Sequence, residues 1–361
     1  MIIFNALQTS MNGGIGRYSY ELSKEMYKQH ENEIKIIIRK EDLEKFNFAK
    51  IEDLIILSGI NSSIKRNLYE QFVIPRIIKK KYPDAIVHYP DSMAPLFMKN
   101  PVVITVHDMA YKSMKNIFTA KSVIWKNFIT NLSIKKAEKI IAITNFTKSE
   151  ILKYYKDIDE SKISVVYNGF NSFDKETINY KNIRKEIRDI DKNYILTVST
   201  ISPRKNIDGL IKAFKELKDD INLNLVIAGN NGWMYENIYD SINNYELQNR
   251  VILTGKVNDD ELKYLYKNAK IFVYISFYEG FGLPPLEAMS YDVPCIVSNV
   301  SSLPEVVGDY AIKVDPRNIK SIAKEIKKII EEGYNIDKDK MHKYLENFSW
   351  IKCAINTYKV Y

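Results

Sequence analysis

The sequence predicts an α/β protein made of two doubly wound domains, each with a parallel sheet covered by helices. Its 361 residues exceed the length of one average domain, for which about 150 residues are typical. Short apolar runs alternate with segments of helical periodicity, which is typical of parallel sheets with helical crossovers. Hydrophobic residues make up 45% of the chain and charged residues 27%, so each domain can bury a core of its own.

Seven apolar runs in the first half of the chain are strand candidates. Apolar residues at helical spacing, such as Tyr18, Leu22 and Met26, predict helices between these runs. Thr147 and Glu150 fit a capping box, which predicts that a helix begins there. The strand candidates are residues 1–5, 34–39, 54–57, 85–88, 102–107, 140–143 and 163–167.

The second half contains five further strand candidates and a polar stretch that precedes them. Residues 168–193 are polar and contain no strand candidate, so we expect the joint between the domains near residues 168–173. We therefore predict a first domain over residues 1–172, a second over 173–340 and a final helix over 341–361. The strand candidates are residues 194–199, 223–228, 251–254, 271–275 and 295–297.

Cysteine content and hydropathy indicate the compartment. Cys295 and Cys353 have neither metal-ligand spacing nor the pattern of a disulfide framework, which favours a reducing environment. The segment Met1–Leu7 lacks the basic region of a signal peptide. No apolar stretch reaches the roughly 20 residues that a membrane span requires. We expect a cytoplasmic protein that can also make peripheral contact with the inner face of the cell membrane.

The net charge of +8 is concentrated in the first half of the chain. Residues 61–83 contain six basic residues and one acid, and residues 111–139 contain seven basic residues and one acid. Apolar residues at helical spacing are interleaved with these charges, a pattern that suits an anionic membrane surface. The alternative is that the apolar side is core and the lysines are a solvated face. No nucleic-acid-binding motif accompanies the charge, so a nucleic-acid partner is not expected.

The segment Glu279–Met289 carries the most chemical information. It follows a buried strand, contains Gly280 and Gly282, and continues with two prolines that suit the first turn of a helix. Free N–H groups at a helix start favour a phosphate, whereas the carboxylates of Glu279 and Glu287 accept hydrogen bonds from sugar hydroxyls. A phosphate flanked by two polyols describes a nucleotide sugar. The alternative interpretation is an ordinary strand–loop–helix corner, in which Glu287 is a solvated helix residue and Glu279 an N-cap.

Two further loops are candidates for phosphate contact. The glycine-rich segment Asn12–Arg17 follows the first strand and opens a helix, but Ser19 stands where a dinucleotide fingerprint would need glycine. In Ser202–Asn206, the adjacent cations Arg204 and Lys205 can both reach one diphosphate. The alternatives are a plain turn in the first case and a solvated basic turn in the second.

His107 and Asp108 end a strongly apolar strand, where a histidine can hydrogen-bond a substrate hydroxyl or a reacting group. Asp108 could orient His107 or contact the acceptor, and His88 could line the same site. For His107, the alternative is a structural histidine. The Asp-x-Asp pairs at 157–159 and 189–191 lie in polar surroundings, so we interpret them as surface residues and expect no metal.

These motifs together resemble the retaining glycosyltransferases of family 4, including bacterial mannosyl- and glucosyltransferases of surface polysaccharides. The resemblance covers nearly the whole chain, and its specific parts are the Glu-x7-Glu segment and the Arg–Lys pair. It implies the GT-B fold, in which two Rossmann-like domains face a central cleft, with an acceptor domain first and a donor domain second. It also implies that the last helix returns to the first domain. The motifs are Gly13–Gly16, His107–Asp108, Ser202–Asn206, Glu279–Glu287 and Ser301–Glu305.

The same resemblance implies roles for individual residues. Arg204 and Lys205 would hold the donor diphosphate, and Glu279 would contact the transferred sugar. Glu287 would bind the ribose hydroxyls, and His107 would lie near the reacting carbon. The remaining implied contacts are those of Gly14, Phe281, Gly282 and Leu283 with the donor phosphate, and those of Gly13, Arg17 and Asp108 with the acceptor.

We therefore predict a metal-independent retaining transferase without a cofactor. It would move a hexose from a nucleoside diphosphate sugar, GDP-mannose before a UDP-sugar, to a glycan or lipid-linked acceptor of a bacterial surface polysaccharide. Two alternatives stay open. One is a nucleotide-sugar epimerase of the same fold, and the other is a non-catalytic sugar-binding subunit of a polysaccharide assembly complex.

Overall fold

The computed structural model describes residues 1–9, 13–117, 120–171 and 178–361. The chain divides into two compact units. The N-terminal unit comprises Met1–Gly169 and Phe348–Tyr361, and the C-terminal unit comprises Phe170–Asn347. The boundary that we expected between residues 172 and 173 lies outside the described residues.

The N-terminal unit contains a seven-stranded parallel sheet in the order β3-β2-β1-β4-β5-β6-β7. Its strands are rich in isoleucine and valine, and all residues of β1 and β5 are buried, as in parallel sheets that helices cover on both faces. The strands are β1 Ile2–Asn5, β2 Ile34–Arg39, β3 Leu54–Leu57, β4 Ile86–Tyr89, β5 Val102–Val106, β6 Lys139–Ala142 and β7 Ile163–Val165.

Helices cover both faces of this sheet. Ile74, Ile78 and Ile134 pack into the core on one face, whereas Tyr18 and Trp350 pack into the core on the other. A π-helical turn, Tyr69–Val73, joins the second and third helices. The helices are α1 Gly14–Gln29, α2 Ser63–Leu68, α3 Ile74–Lys81, α4 Ala110–Ser113, α5 Ala120–Lys136 and α6 Asn145–Tyr154.

The C-terminal unit contains a six-stranded parallel sheet in the order β10-β9-β8-β11-β12-β13. The five predicted strands are present, and β13 is an additional strand that the sequence did not predict. The strands are β8 Tyr194–Val198, β9 Leu225–Ala228, β10 Val251–Gly255, β11 Ala269–Tyr274, β12 Cys295–Ser298 and β13 Ile312–Val314. The helices are α7 Lys185–Arg188, α8 Ile207–Lys215, α9 Glu236–Asn244, α10 Asp259–Asn268, α11 Leu283–Ser290, α12 Leu303–Val307 and α13 Ile319–Glu332.

Two predicted helix positions need correction. The single helix expected over residues 341–361 is two helices, α14 Lys338–Leu345 and α15 Trp350–Tyr358. Ser349 separates them because its side chain accepts a hydrogen bond from the Lys352 N–H and caps α15. Of this region, only Phe348–Tyr361 belongs to the N-terminal unit.

The capping box expected at Thr147 and Glu150 is also wrong. The cap of α6 is Thr144, whose side chain accepts from the Thr147 N–H, so the helix begins before Thr147.

Among the helices of the described ranges, none combines the length and apolarity that crossing a membrane requires.

Candidate active site

The candidate donor site forms where the strand order of the C-terminal sheet reverses. β8 is the third strand in the sheet, β11 is its neighbour, and the chain runs outward in opposite directions from this pair. In open parallel sheets, ligands bind beyond the carboxyl ends of the strands at such a switch point. The loop after β8 carries Arg204 and Lys205, and the loop after β11 carries Glu279. The topology therefore brings the two predicted motifs to one place.

Hydrogen bonds to other loops of the C-terminal unit fix the loop after β8. Pro203–Lys205 form a single 3-10 turn, and Asn206 adopts a left-handed conformation with φ of 55°. The Asn206 Nδ2 group donates to the carbonyls of Ile275 and Pro316, at 3.2 and 2.7 Å. The Phe277 N–H donates to the Arg204 carbonyl at 2.9 Å. These bonds fix the backbone that presents the two cationic side chains.

Glu279 binds both cations. The Arg204 Nη1 atom lies 2.7 Å from Glu279 Oε2, and the Lys205 Nζ atom lies 2.5 Å from Glu279 Oε1. Arg204 Nη1 also donates to the Tyr278 carbonyl at 2.7 Å. The exposed fractions of the three side chains are only 18% for Arg204, 11% for Lys205 and 8% for Glu279. The cluster is therefore largely shielded from water and has a formal charge of +1.

Tyr274 completes this cluster, and the sequence analysis did not predict its role. Its hydroxyl accepts from Lys205 Nζ at 2.6 Å and donates to Glu279 Oε1 at 3.1 Å. Burial, and then the neighbouring Glu279 carboxylate, raise the Tyr274 pKa well above its usual value, so the phenol stays protonated. The only signal in the sequence is a hydroxyl-bearing residue at the end of a buried strand.

Burial raises the Glu279 pKa, but the charges of Lys205 and Arg204 outweigh this effect and lower it to about 2. Glu279 is therefore ionised at neutral pH. Its two oxygens bind Arg204 and Lys205 and hold the two cations at fixed positions. The site can present two preorganised cations to a ligand phosphate.

Two serines hold the backbone of the Glu279 loop. The Glu279 N–H donates to Ser301 Oγ at 3.0 Å. The Ser302 hydroxyl lies 3.0 Å from the carbonyls of Glu279 and Phe281, and it is completely buried. Ser301 and Ser302 thus fix the backbone of Glu279 and Phe281 just before the start of α11.

Gly282 is the N-cap of α11, with φ of 102°, and Pro284 and Pro285 occupy the first turn. The positive φ suits glycine, and a Cβ built at this position would lie 2.5 Å from a Leu303 methyl carbon. Phe281 is buried, and Leu283 is partly buried. Because glycine supplies no side-chain cap, the N–H groups at the start of α11 are suited to an anionic ligand.

Glu287 lies one turn into α11 and is 3% exposed. Its Oε2 atom accepts a hydrogen bond of 2.9 Å from the hydroxyl of Tyr266, a fully buried residue of α10. This bond fixes the orientation of the Glu287 carboxylate. Tyr266 is a second positioning tyrosine that the sequence analysis missed, since it reads there as an ordinary core residue of a helix.

In the N-terminal unit, His107 follows β5 and is partly exposed. Its Nε2 atom is 2.9 Å from the Pro90 carbonyl, so Nε2 carries the proton and donates it. Burial lowers the His107 pKa despite this bond, which leaves a neutral imidazole with Nδ1 as an acceptor. Asp108 Oδ1 accepts a hydrogen bond from the N–H of Ala110, the first residue of α4, at 2.9 Å.

His88 does not line a site. It is fully buried, and it is hydrogen-bonded to the Tyr361 hydroxyl through Nδ1 and to Thr105 Oγ1 through Nε2. Burial, and then the neighbouring His107, lower the His88 pKa to about 3. The expectation that His88 lines the site is therefore wrong, because its side chain is buried in the core beside Tyr361.

The glycine loop of the N-terminal unit borders a cavity of about 500 Å³. A Cβ built on Gly13 or Gly14 would meet no described atom within 4 Å, so the packing of the described residues does not require glycine at either position. Open space beside a glycine is what a closely approaching ligand needs. Arg17 lies in the first turn of α1, and its N–H donates to the Gly13 carbonyl at 3.0 Å. Other residues that line the cavity are Gln8, Gly16, Arg39, Asn61 and Arg66.

Two hydrogen bonds connect the loop after β1, beside this cavity, to the π-helical turn between α2 and α3. Glu70, in the π-helical turn, accepts from Asn5 Nδ2 at 2.9 Å, and Asn5 Oδ1 accepts from the Leu7 N–H at 3.2 Å. Burial raises the Glu70 pKa to about 7, although Arg66 and Asn5 oppose the shift.

Within the described ranges, no three His, Cys, Asp or Glu side chains form a group that could hold a metal ion.

Comparison with known proteins identifies the class to which this geometry belongs. The model of "Glycosyltransferase Family 4" matches residues 12–172, and that of "Glycosyl transferases group 1" matches residues 179–348. Together they span most of the chain. The protein therefore belongs to the glycosyltransferases, with a family 4 domain followed by a group 1 domain, and its two Rossmann-like units are those of the GT-B fold.

Individual relatives agree with this assignment. The O-antigen chain mannosyltransferase B of Escherichia coli is 28% identical over 372 residues, which cover 96% of this chain and 95% of the relative. The O-antigen chain mannosyltransferase RfbU of Salmonella typhimurium is 34% identical over 63% of this chain and 60% of its own length. A crystal structure of a glycosyltransferase from Rickettsia africae superimposes with a TM-score of 0.74 at 22% identity, covering 99% and 97% of the two chains.

Proposed function

We propose that the protein transfers a hexose from a nucleoside diphosphate sugar, with retention of anomeric configuration and without a metal ion. The observation that carries the proposal is the cluster of Arg204, Lys205 and Glu279 at the switch point of the C-terminal sheet. Departure of a nucleoside diphosphate builds negative charge on its β-phosphate. Two fixed cations beside the start of α11 stabilise that charge without reorganising during the reaction.

The other residues of the C-terminal unit have complementary tasks in this proposal. Glu287, oriented by Tyr266, accepts hydrogen bonds from the ribose hydroxyls. The backbone of Phe281, Gly282 and Leu283 cradles the phosphates. Glu279 also accepts hydrogen bonds from hydroxyls of the transferred sugar, because each oxygen of an ionised carboxylate can accept more than one.

His107 in the N-terminal unit contacts the sugar near the reacting carbon, which develops oxocarbenium character. A neutral imidazole suits this position because Nδ1 can accept a hydrogen bond from a sugar hydroxyl while Nε2 donates to the Pro90 carbonyl. The acceptor attacks from the face that the diphosphate leaves, and the leaving phosphate takes the acceptor proton. Gly13, Arg17 and Asp108 border the acceptor, and Gly14 approaches the phosphate.

The proposed donor is GDP-mannose, with UDP-hexoses as the second choice. Mannosyltransferase relatives with 28% and 34% identity support mannose as the transferred sugar. The proposed acceptor is a glycan or lipid-linked saccharide of a bacterial surface polysaccharide, as the O-antigen names of the same relatives suggest. The basic character of residues 61–83 and 111–139 supports peripheral contact with an anionic membrane.

Thermal shift measurements with GDP-mannose, UDP-glucose and UDP-galactose test the donor, because a ligand that binds only the folded state raises the melting temperature. We expect the largest shift with GDP-mannose and no shift in the Arg204→Ala/Lys205→Ala double variant. Addition of EDTA should leave transfer unchanged. Absence of a shift with every donor would favour a non-catalytic subunit, and conversion of the donor without any acceptor would favour an epimerase.

A further inference from the structure

The segment Ser63–Lys81 of the N-terminal unit, formed by α2, the π-helical turn and α3, is apolar on two sides. Its inner side packs Ile74 and Ile78 into the core. Its outer side exposes Ile64, Leu68 and Phe72 at intervals of four residues, with exposed fractions of 72%, 52% and 44%. A helix that only covers a sheet would carry polar residues along this outer stripe.

Phe97 extends the stripe beyond the helix. Its ring stacks on Phe72 with centroids 5.9 Å apart, and it is 65% exposed. The loop that carries it is fixed, since the Leu96 N–H donates to Gln71 Oε1 at 3.0 Å. Ile64, Leu68, Phe72 and Phe97 form a row of large exposed side chains, which we call the apolar face.

Cations border the apolar face, and the segment carries no exposed acid. The only acid between residues 63 and 81 is Glu70, which is buried against Asn5. The exposed cations of the segment and the adjacent loop are Lys65, Arg76, Lys79, Lys80, Lys81 and Lys99.

The same side of the sheet carries a second exposed apolar group. The loop before Phe97 is bonded to α5, because Lys136 Nζ donates to the Leu96 carbonyl at 2.5 Å. α5 packs Ile134 into the same core as α3. It exposes Ile124, Trp125 and Phe128, with exposed fractions of 69%, 51% and 55%.

We propose that the apolar face is a docking surface for an anionic lipid bilayer. A helix that lies in the plane of an interface inserts large apolar side chains between the headgroups and places its cations against the lipid phosphates. A second copy of the chain fits less well, because two apolar faces packed together would bring two sets of like charges into contact. The inference builds on the proposed function, since it gives the enzyme a way to reach a lipid-linked acceptor.

Vesicle flotation tests the proposal on the full chain, without any donor. Wild-type protein should float with phosphatidylglycerol vesicles and remain behind with phosphatidylcholine vesicles. The variant Leu68→Asp/Phe72→Asp should lower the partition coefficient by at least about tenfold, since each large apolar side chain contributes this much or more. Lys79→Gln/Lys80→Gln should lower it by about fivefold per charge and should weaken its dependence on salt.

Ile351→Asp is the matched control. Ile351 is 56% exposed on α15, which packs on the opposite face of the sheet, so this variant should float like the wild type. Flotation of Leu68→Asp/Phe72→Asp at the wild-type level would overturn the proposal. So would a change from dimer to monomer in sedimentation velocity for that variant, because a second copy would then cover the apolar face. The thermal shift with GDP-mannose, measured without vesicles, reports separately on the proposed function.

Discussion

Arg204 and Glu279 are separated by 75 positions in the chain, yet Nη1 of one lies 2.7 Å from Oε2 of the other. Their proximity follows from the sheet, since β8 and β11 are hydrogen-bonded parallel neighbours and their carboxyl ends open on the same edge.

Replacing either cation should reduce transfer while preserving the fold. We expect Arg204→Ala and Lys205→Ala each to lower kcat by about 10²-fold or more, on the scale of losing one preorganised electrostatic donor. Steady-state kinetics with GDP-mannose measures this effect. Lys212→Ala removes an exposed cation of α8 that pairs with Asp208, and it should retain wild-type kinetics. Near-normal rates in both active-site variants would remove their assigned role.

Glu279 should make stability depend on pH in a defined window. Its folded-state pKa of about 2 lies below the unfolded value of 4.5, so its contribution is complete above about pH 4.5 and is lost as the pH falls towards 2. The shift corresponds to a contribution on the order of 3 kcal/mol at neutral pH. Denaturant unfolding from pH 2 to 7 should show a larger rise for wild type than for Glu279→Gln. Parallel curves for the two proteins would contradict this assignment.

Tyr274→Phe keeps the ring and removes a hydroxyl that contacts both Lys205 and Glu279. The loss leaves two buried polar groups with one partner fewer, which costs about 1–3 kcal/mol. We expect a decrease of about tenfold or more in kcat/KM and a raised pH midpoint for the Glu279-linked stability change. Tyr239→Phe removes an exposed phenol of α9 and serves as the control. Unchanged kinetics in Tyr274→Phe would assign Tyr274 to the core alone.

The two glycine positions should respond differently to alanine. Gly14→Ala should fold like the wild type, since its Cβ meets none of the described residues within 4 Å, but it should weaken donor binding if a phosphate approaches this backbone. Gly282→Ala should lower the melting temperature because of its positive φ and the contact with Leu303. Calorimetry and the thermal shift with GDP-mannose separate the two effects. Wild-type binding by Gly14→Ala would exclude a phosphate at that loop.

Much of the sheet architecture could be predicted because buried parallel strands are continuous apolar runs. β13 could not, since Ile-Lys-Val is too short to be distinguished from the surrounding loop. The break at Ser349 was hidden by apolar residues on both sides, and only the position of its side chain reveals the cap. Thr144 was overlooked as the cap of α6 because Thr147 and Glu150 gave an equally good pattern one turn later.

The site could be predicted only in part, for a related reason. Four charged residues of the site lie in loops or at a helix start, where they stand outside the apolar pattern and can be recognised as candidates. They are Arg204, Lys205, Glu279 and Glu287. Tyr266 and Tyr274 are embedded in apolar periodicity, and a buried hydroxyl has the same pattern as a buried ring. The direct pairing of Glu279 with both cations was not predicted either, because it depends on which strands are neighbours. His88 shows the reverse case, in which a strand-end histidine proved to be an interior residue.

The hydrogen bond between Glu70 and Asn5 connects the helical segment that carries Leu68 and Phe72 to the loop after β1. Glu70 is anchored on the inner side of this segment, and Asn5 in turn holds the Leu7 backbone. Two hydrogen bonds therefore join the helical segment that carries Leu68 and Phe72 to the backbone of Leu7. Because burial raises the Glu70 pKa to about 7, the first of these bonds is made to an ionised carboxylate above that pH and to a neutral carboxyl below it.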